Sequence, residues 1–104
     1  MAKNYESTRS FELKATASEA VLKGIADDGG LFVMRSLGEI KVDINSLIGK
    51  NYMEIAEVIL GILLDDFSKD KIKECIRFAY TDKFSTQEIT PVVKVGQNYV
   101  TELF

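Results

Sequence analysis

Thr16-Ala-Ser-Glu-Ala-Val-Leu-Lys-Gly24, then Ile25-Ala-Asp-Asp-Gly-Gly30, then Leu31-Phe-Val-Met34 is the stretch that decides the fold class. Thr16 and Glu19 stand at the spacing of a capping box: the hydroxyl accepts from the backbone N–H three residues on, while the glutamate reaches back to the cap. Ala17, Ala20, Val21 and Gly24 recur at helical spacing, which predicts a helix over about residues 17–24 that Gly24 stops. Asp27-Asp28-Gly29-Gly30 spells a tight turn, because one or both glycines can take positive φ. Leu31 to Met34 then reads as a short buried strand. A helix passed through a two-glycine turn into a strand demands mixed α and β structure.

The flanking segments extend this pattern. Asn4 to Ser10 is short, polar and rich in β-formers, so it is predicted to be an exposed or edge strand. Residues 35–41 carry no clear period, and Asp43 is placed to cap a short helical turn with Ile44, Leu47 and Ile48 inward and Gly49 ending it. Asn51-Tyr-Met-Glu54 is an asparagine version of the capping box. Behind it, Tyr52, Ile55, Ala56, Ile59, Ile62 and Leu63 form an apolar stripe over about residues 52–65, widened by Val58 and Leu60. This helix is expected to be the most deeply buried. Ser68 caps the next, about 69–80, whose Lys69, Lys71, Lys73 and Glu74 read as a solvated face. After the break at Pro91, Val92-Val-Lys-Val95, Gly96-Gln-Asn98 and Tyr99-Val-Thr-Glu-Leu-Phe104 spell a β-hairpin. The expectation is a small α+β domain of three to four helices with short strands and a C-terminal β-hairpin. It would be a single domain over residues 1–104, mixed over 1–90 and hairpin over 91–104, with its main core between the helices at 52–65 and 69–80.

Composition narrows the chemistry. The 104 residues are 46% hydrophobic and 28% charged, enough for one real core. A net charge of −3 without a basic cluster argues against nucleic acid and anionic membrane as partners. The longest apolar run, Val58 to Leu64, is interrupted by Gly61 and is too short to span a bilayer. The opening Met1-Ala-Lys-Asn-Tyr-Glu6 lacks the apolar core of a signal peptide. With no histidine, Ser-His-Asp and Cys-His catalysis and imidazole metal sites are excluded within the chain. The single Cys75 excludes an intrachain disulfide and a cysteine-rich zinc site. Set in a stripe with Ile72, Ile76 and Ala79, it reads as a small buried core residue rather than a reactive thiol. An unpaired thiol fits a reducing cytosol, so the expected location is cytoplasmic.

Three groups of residues invite a functional reading. Ser7-Thr8-Arg9 offers two hydroxyls and a guanidinium, a donor set suited to a phosphate dianion. The plainer reading, which we prefer, is an edge strand whose Arg9 pairs with a carboxylate such as Asp27 or Asp28 and pins the turn. Asp27-Asp28-Gly29-Gly30 lacks the alternating oxygen ligands of an EF-hand and the glycine–lysine pattern of a P-loop, so it reads first as a turn, although such turns can line a cleft. Asp65-Asp66 reads as an exposed helix end.

Four segments together resemble a known family: Tyr5-Glu-Ser-Thr-Arg9; Ser18-Glu-Ala-Val-Leu-Lys-Gly-Ile25 running into Asp27-Asp-Gly-Gly-Leu-Phe-Val33; the helices of residues 51–80; and Pro91-Val-Val-Lys-Val95 leading to Tyr99-Val-Thr-Glu-Leu-Phe104. In this order they look like the amino-terminal region of threonine synthase. Ser10 stands where the family usually has glycine, and Met34-Arg-Ser-Leu-Gly38 lacks the proline that commonly follows the turn. The resemblance implies a parent lyase of threonine biosynthesis that converts O-phospho-L-homoserine and water to L-threonine and phosphate. Pyridoxal phosphate would act there as electron sink, with phosphate leaving Cγ and water adding at Cβ. In that family the closing E-L-F leads into H-G-P-T-x-A-F-K-D, whose lysine carries the cofactor and moves protons.

The chain ends at Phe104, before that stretch. The expectation is therefore a chain cut from a longer enzyme, inactive alone and holding no cofactor itself. No catalytic, cofactor-binding or metal residue is assigned to it; Lys41, Lys83 and Lys94 carry no matching motif. Ser7, Thr8, Arg9, Asp28, Gly29 and Gly30 are its candidate cleft-lining, substrate-side residues. Its expected partners are the cofactor-binding domains of the same polypeptide and the parent's small-molecule substrate. Its apolar strand end suggests weak self-association. A free-standing, non-enzymatic interaction module with the same fold is the alternative. An independent small enzyme is weak, because no nucleophile–base pair can be drawn.

Overall fold

The computed structural model of the protein describes residues 2–103. Its first unit is an antiparallel three-stranded sheet of β1 (Tyr5–Ser7), β2 (Lys14–Ala15) and β3 (Phe32–Met34), in the order β2-β1-β3. Tyr5 stands opposite both Ala15 and Met34, and Glu6 opposite Lys14 and Val33. The strand expected at an edge is thus the central one, and Glu6 and Ser7 are buried. Its second neighbour, β2, has two residues, too few to show a period of two. In β3 only Met34 is buried; Phe32 is half-buried and Val33 exposed, so the strand is less covered than expected.

Helix α1 (Ala17–Lys23) carries both arms of the predicted capping box, and Gly24 closes it at φ 75°. Two 3-10 turns follow, Leu37–Glu39 and Ile44–Leu47. Asp43 caps the second, accepting from the Asn45 N–H at 3.0 Å, but Ile44 and Ile48 are exposed and only Leu47 is half-buried. Little more than one 3-10 turn is too short to hold an apolar stripe against a neighbour.

Helices α2 (Tyr52–Leu63) and α3 (Lys69–Tyr80) start at their predicted caps and pack as a helical hairpin. In α2 the box is reciprocal: Asn51 accepts from the Glu54 N–H at 2.9 Å while Glu54 accepts from the Asn51 N–H at 2.8 Å. Ile72 and Ile76 of α3 are buried, whereas α2 has no fully buried residue. The most deeply buried helix is therefore not α2: its surface is apolar almost all round, and α3 covers one side of it. Cys75 is exposed, as is Ala79, which corrects the expectation of a core thiol. Ile72 and Ile76 share a face four residues apart, and Cys75 is turned about 100° away from Ile76. The charged face of α3 is solvated as expected, with Lys71 2.9 Å from Glu74 and Lys73 3.3 Å from Glu57.

The remaining fully buried apolar residues, Ala15, Ala17, Ala20, Ala26 and Met34, lie around the sheet and α1. The core is therefore not mainly the α2–α3 contact. Polar ties join its two parts. The Tyr5 hydroxyl donates to the Leu63 carbonyl at 2.7 Å, Asn4 donates to Asp65, and the Ser18 N–H and hydroxyl both donate to Asp66. The Asp65-Asp66 pair is thus a clasp between α2 and the first unit, not merely an exposed helix end.

The predicted hairpin is present as β4 (Val92–Val95) and β5 (Asn98–Thr101), turning at Gly96 with φ 63°. Its strands are exposed, and Phe104 at its expected end lies outside the described residues. Among the described residues no helix is long and apolar enough to cross a membrane.

Two substitutions test this distribution of packing. Ile72→Ala should lower the unfolding free energy by about 2–5 kcal/mol in a urea titration. A Cβ at the mid-helix Gly61 would meet nothing within 4 Å. Gly61→Ala should thus raise stability by about 0.5–1 kcal/mol. An unchanged midpoint for Ile72→Ala would contradict the placement of the core.

Candidate functional site

The six candidate residues come from two segments, 21 residues apart from Ser7 to Asp28 and different in kind: a strand end and a glycine turn. Antiparallel pairing of β1 with β3 carries Ser7 to Phe32 and so lays the strand end on the turn. The Thr8 N–H donates to the Leu31 carbonyl at 2.9 Å, and the Leu31 N–H donates back to the Thr8 hydroxyl oxygen at 3.0 Å. Within the turn, Ala26 N–H reaches the Gly30 carbonyl at 2.9 Å and Gly29 N–H reaches the Ala26 carbonyl at 2.8 Å. All six residues share one corner.

Asp28 organises that corner. Its carboxylate accepts from the Ser7 hydroxyl at 2.7 Å and from the Gly30 N–H at 2.9 Å. The Ser7 hydrogen bond is the main cause holding its carboxyl below the ordinary carboxylate range; the Gly30 N–H and the Arg9 charge act in the same direction. Ser7 Oγ in turn accepts from the Arg9 N–H at 3.2 Å, so this hydroxyl is fully engaged within the chain. Both glycines are required. At Gly30 a Cβ would fall on Ser7 Oγ and 3.1 Å from the Arg9 backbone nitrogen. Gly29 holds φ 80°, and a Cβ there would lie 2.9 Å from Arg9 Nη1.

Arg9 is pinned differently from expectation. Its Nη1 donates to the Asp28 backbone carbonyl at 3.1 Å, and among the described residues it makes no ion pair. Asp27 is engaged with Lys23 at 2.7 Å, and the Asp28 carboxylate is turned toward Ser7. The rest of the planar guanidinium fork is left pointing outward, and Arg9 is exposed. Thr8 is exposed too; its oxygen is used as an acceptor, and its O–H still has a proton to donate. Of the three residues singled out as a phosphate-type donor set, two keep donors for a ligand and Ser7 does not.

Asp66 is the polar group that sequence reasoning missed. It accepts at the first turn of α1, where the unpaired N–H groups and the helix dipole favour a negative charge. Ser18 chiefly holds its carboxyl below the usual range. No local pattern announces a partner this far along the chain. Among the described residues no cluster of three or more histidine, cysteine, aspartate or glutamate side chains is arranged for a metal ion.

The glycine turn itself offers no cradle for the phosphate of pyridoxal phosphate. A phosphate on this turn would need the Gly30 N–H and the Ser7 hydroxyl, and both already donate to Asp28. The lysines are all exposed.

Comparison with known proteins gives a consistent result. The family model described as threonine synthase N terminus matches residues 4–80. Threonine synthase of Schizosaccharomyces pombe is 34% identical over 106 residues, covering 97% of this chain and 20% of that protein. Human threonine synthase-like 1 is 38% identical over 96 residues, covering 84% of this chain and 12% of that protein. The crystal structure of PLP-bound threonine synthase from Brucella melitensis superposes with a TM-score of 0.81 at 30% identity, over 96% of this chain and 22% of that one. The chain thus spans between about an eighth and a fifth of the length of these relatives.

The corner makes two checkable demands. Gly30→Ala should destabilise the chain by about 1–3 kcal/mol, since Ser7 and the Arg9 backbone must both shift to admit the methyl group. Asp28 and Asp66 should also make the fold acid-sensitive. A carboxyl held lower in the folded chain stabilises it fully above the unfolded value of about 3.9, and that stabilisation is lost as pH falls through the folded value. Circular dichroism melts should therefore drop below about pH 4, and less steeply in Asp66→Asn. A melting temperature flat from pH 6 to pH 2 would contradict both hydrogen-bonding assignments.

Proposed function

The chain belongs to the family described as threonine synthase N terminus, and from this we propose that it is the amino-terminal part of a pyridoxal-phosphate-dependent threonine synthase acting on O-phospho-L-homoserine. What carries this reading is the joint match of sequence and fold along nearly the whole chain to threonine synthases. Its partner is the cofactor-binding part of the same polypeptide, and its compartment is the cytoplasm, where an exposed, unpaired Cys75 is at home. The cofactor, held outside these residues, supplies the electron sink for the elimination and hydration of the substrate.

The role of this chain is to shape the substrate side of the cleft. Arg9, steadied by one edge on the Asp28 carbonyl, presents its other edge to an anionic group. The Thr8 hydroxyl stands beside it as a second donor. Asp28, Gly29 and Gly30 buttress this pair and transfer no proton. Because the guanidinium is already held in place, little side-chain freedom is lost when an anion binds.

Arg9→Ala, in the polypeptide that joins these residues to a cofactor-binding part, should raise KM for O-phospho-L-homoserine at least about tenfold, or ~1.4 kcal/mol. The visible absorbance of the bound cofactor should not change. Wild-type kinetics in that variant would reduce Ser7-Thr8-Arg9 to a structural strand end.

A further inference from the structure

Helix α1 is built inside out. Ala17 and Ala20, 1% and 9% exposed, face the sheet, while Val21 and Leu22 stand 64% and 88% exposed. A surface helix ordinarily turns its large apolar side chains to the core and its small or polar ones to water. The inversion is not an error of register, because the reciprocal capping box at Thr16 and Glu19 and the stop at Gly24 fix both ends of the helix.

The apolar surface continues beyond the helix. Ile25 and Leu31 face each other across an antiparallel bridge, and each is 61% exposed. Leu31 is in turn doubly hydrogen-bonded to Thr8, the neighbour of Arg9. On its other side Leu22 borders an open cleft of about 510 Å3 that also takes in Leu13, Ala26 and Phe32 and is rimmed by charged side chains such as Lys3, Glu19 and Lys23. Exposed apolar surface of this continuity marks an interface.

We propose that the outer face of α1 and the Ile25–Leu31 bridge form the docking surface for the cofactor-binding part of the polypeptide. This rests on the threonine synthase reading given above. The occupant follows from position. If Arg9 and Thr8 hold the anionic end of a substrate, its reacting carbons must lie between that corner and the cofactor. The body that carries the cofactor must then approach from this side, where Leu31, hydrogen-bonded to Thr8, and its bridge partner Ile25 adjoin the corner. The relatives have room for such a body: about four-fifths of the Schizosaccharomyces pombe and Brucella melitensis proteins lie outside the matched part. A second copy of this chain would cover the apolar face but would bring no cofactor to the corner.

Maleimide labelling of a single cysteine tests the surface. Leu22→Cys and Ile25→Cys are made separately in a Cys75→Ser background, which removes the exposed native thiol. Each is labelled at low protein concentration, in residues 1–104 alone and in the polypeptide that joins them to the cofactor-binding part. Labelling at both positions should be at least tenfold slower in the longer polypeptide, and unchanged melting of the 1–104 variants would show that the fold is intact. If the longer polypeptide makes threonine yet both cysteines label as fast as in 1–104, the docking surface is wrong and the functional reading stands. If the longer polypeptide makes no threonine, the functional reading fails and takes the docking surface with it. If protection appears in 1–104 alone and rises with its concentration, the occupant is a second copy and the proposal is overturned.

Discussion

The Asp28 carboxylate, engaged by the Ser7 hydroxyl and the Gly30 N–H, is the constraint from which the first half of the structure follows. Ser7 is buried on the central strand, where a hydroxyl without a partner would cost on the order of 1–3 kcal/mol. Asp28 satisfies it and at the same time closes the turn that launches β3. The turn must then pass so close to the strand that Gly30 can carry no side chain, while Gly29 is held at φ 80°, a conformation that favours glycine. Arg9 is placed by the same geometry, its guanidinium resting over Gly29 with one edge on the Asp28 carbonyl. One carboxylate thus sets the strand, the turn and the direction of the exposed cation.

A second carboxylate does for the whole chain what Asp28 does for the corner. Asp66 leaves the end of α2 and accepts at the N-terminus of α1. Tyr5 and Asn4, on and beside the central strand, reach the same stretch at Leu63 and Asp65. These contacts are polar because the apolar core cannot join the two units by itself: around the sheet it is mostly alanine, and alanine buries little surface. A chain with so thin a core relies on directional bonds for its arrangement, which is why two depressed carboxyls bear on its stability.

Legibility in the sequence divides along physical lines. Caps were legible because they are local: Thr16, Asp43, Asn51 and Ser68 each act within three residues of themselves, and each is a cap in the structure. The hairpin was legible for the same reason. Burial was not, because it depends on what covers a surface. The apolar stripe of α2 fixes that it is a helix, but only the position of α3 decides how much of it is covered. Cys75 fails likewise, since its stripe is real and its side of the stripe is open. The two-residue β2 left no period to read, and without it Tyr5–Ser7 looked like an edge. The candidate corner was legible as a set of residues, whose motif order suggested that they belong together. Its wiring was not, because both carboxylates open to Arg9 in the sequence have other partners, Asp27 with Lys23 and Asp28 with Ser7.

The same wiring bears on how the corner can meet an anion. A glycine turn with free N–H groups would itself be a phosphate cradle. Here its Gly30 donor is taken by a carboxylate belonging to the chain, which places one negative charge near Arg9, the cation proposed to meet the anion. That charge weakens the attraction of Arg9 for an anion, while the Asp28 backbone carbonyl holds one edge of the fork before any ligand arrives. Water near the exposed corner screens the first effect more than the second, because the first is a long-range Coulomb term and the second is a hydrogen-bonded geometry. On the proposed reading, an exposed corner of this kind would be a weak anion site and a well-aimed one. It gains strength when a second surface closes over it and excludes water, since the field of Arg9 then acts through a medium of lower dielectric constant. In the proposed docking, the apolar face of α1, adjoining the corner through Leu31, would seal such a closure and so couple affinity for the anion to docking of the partner.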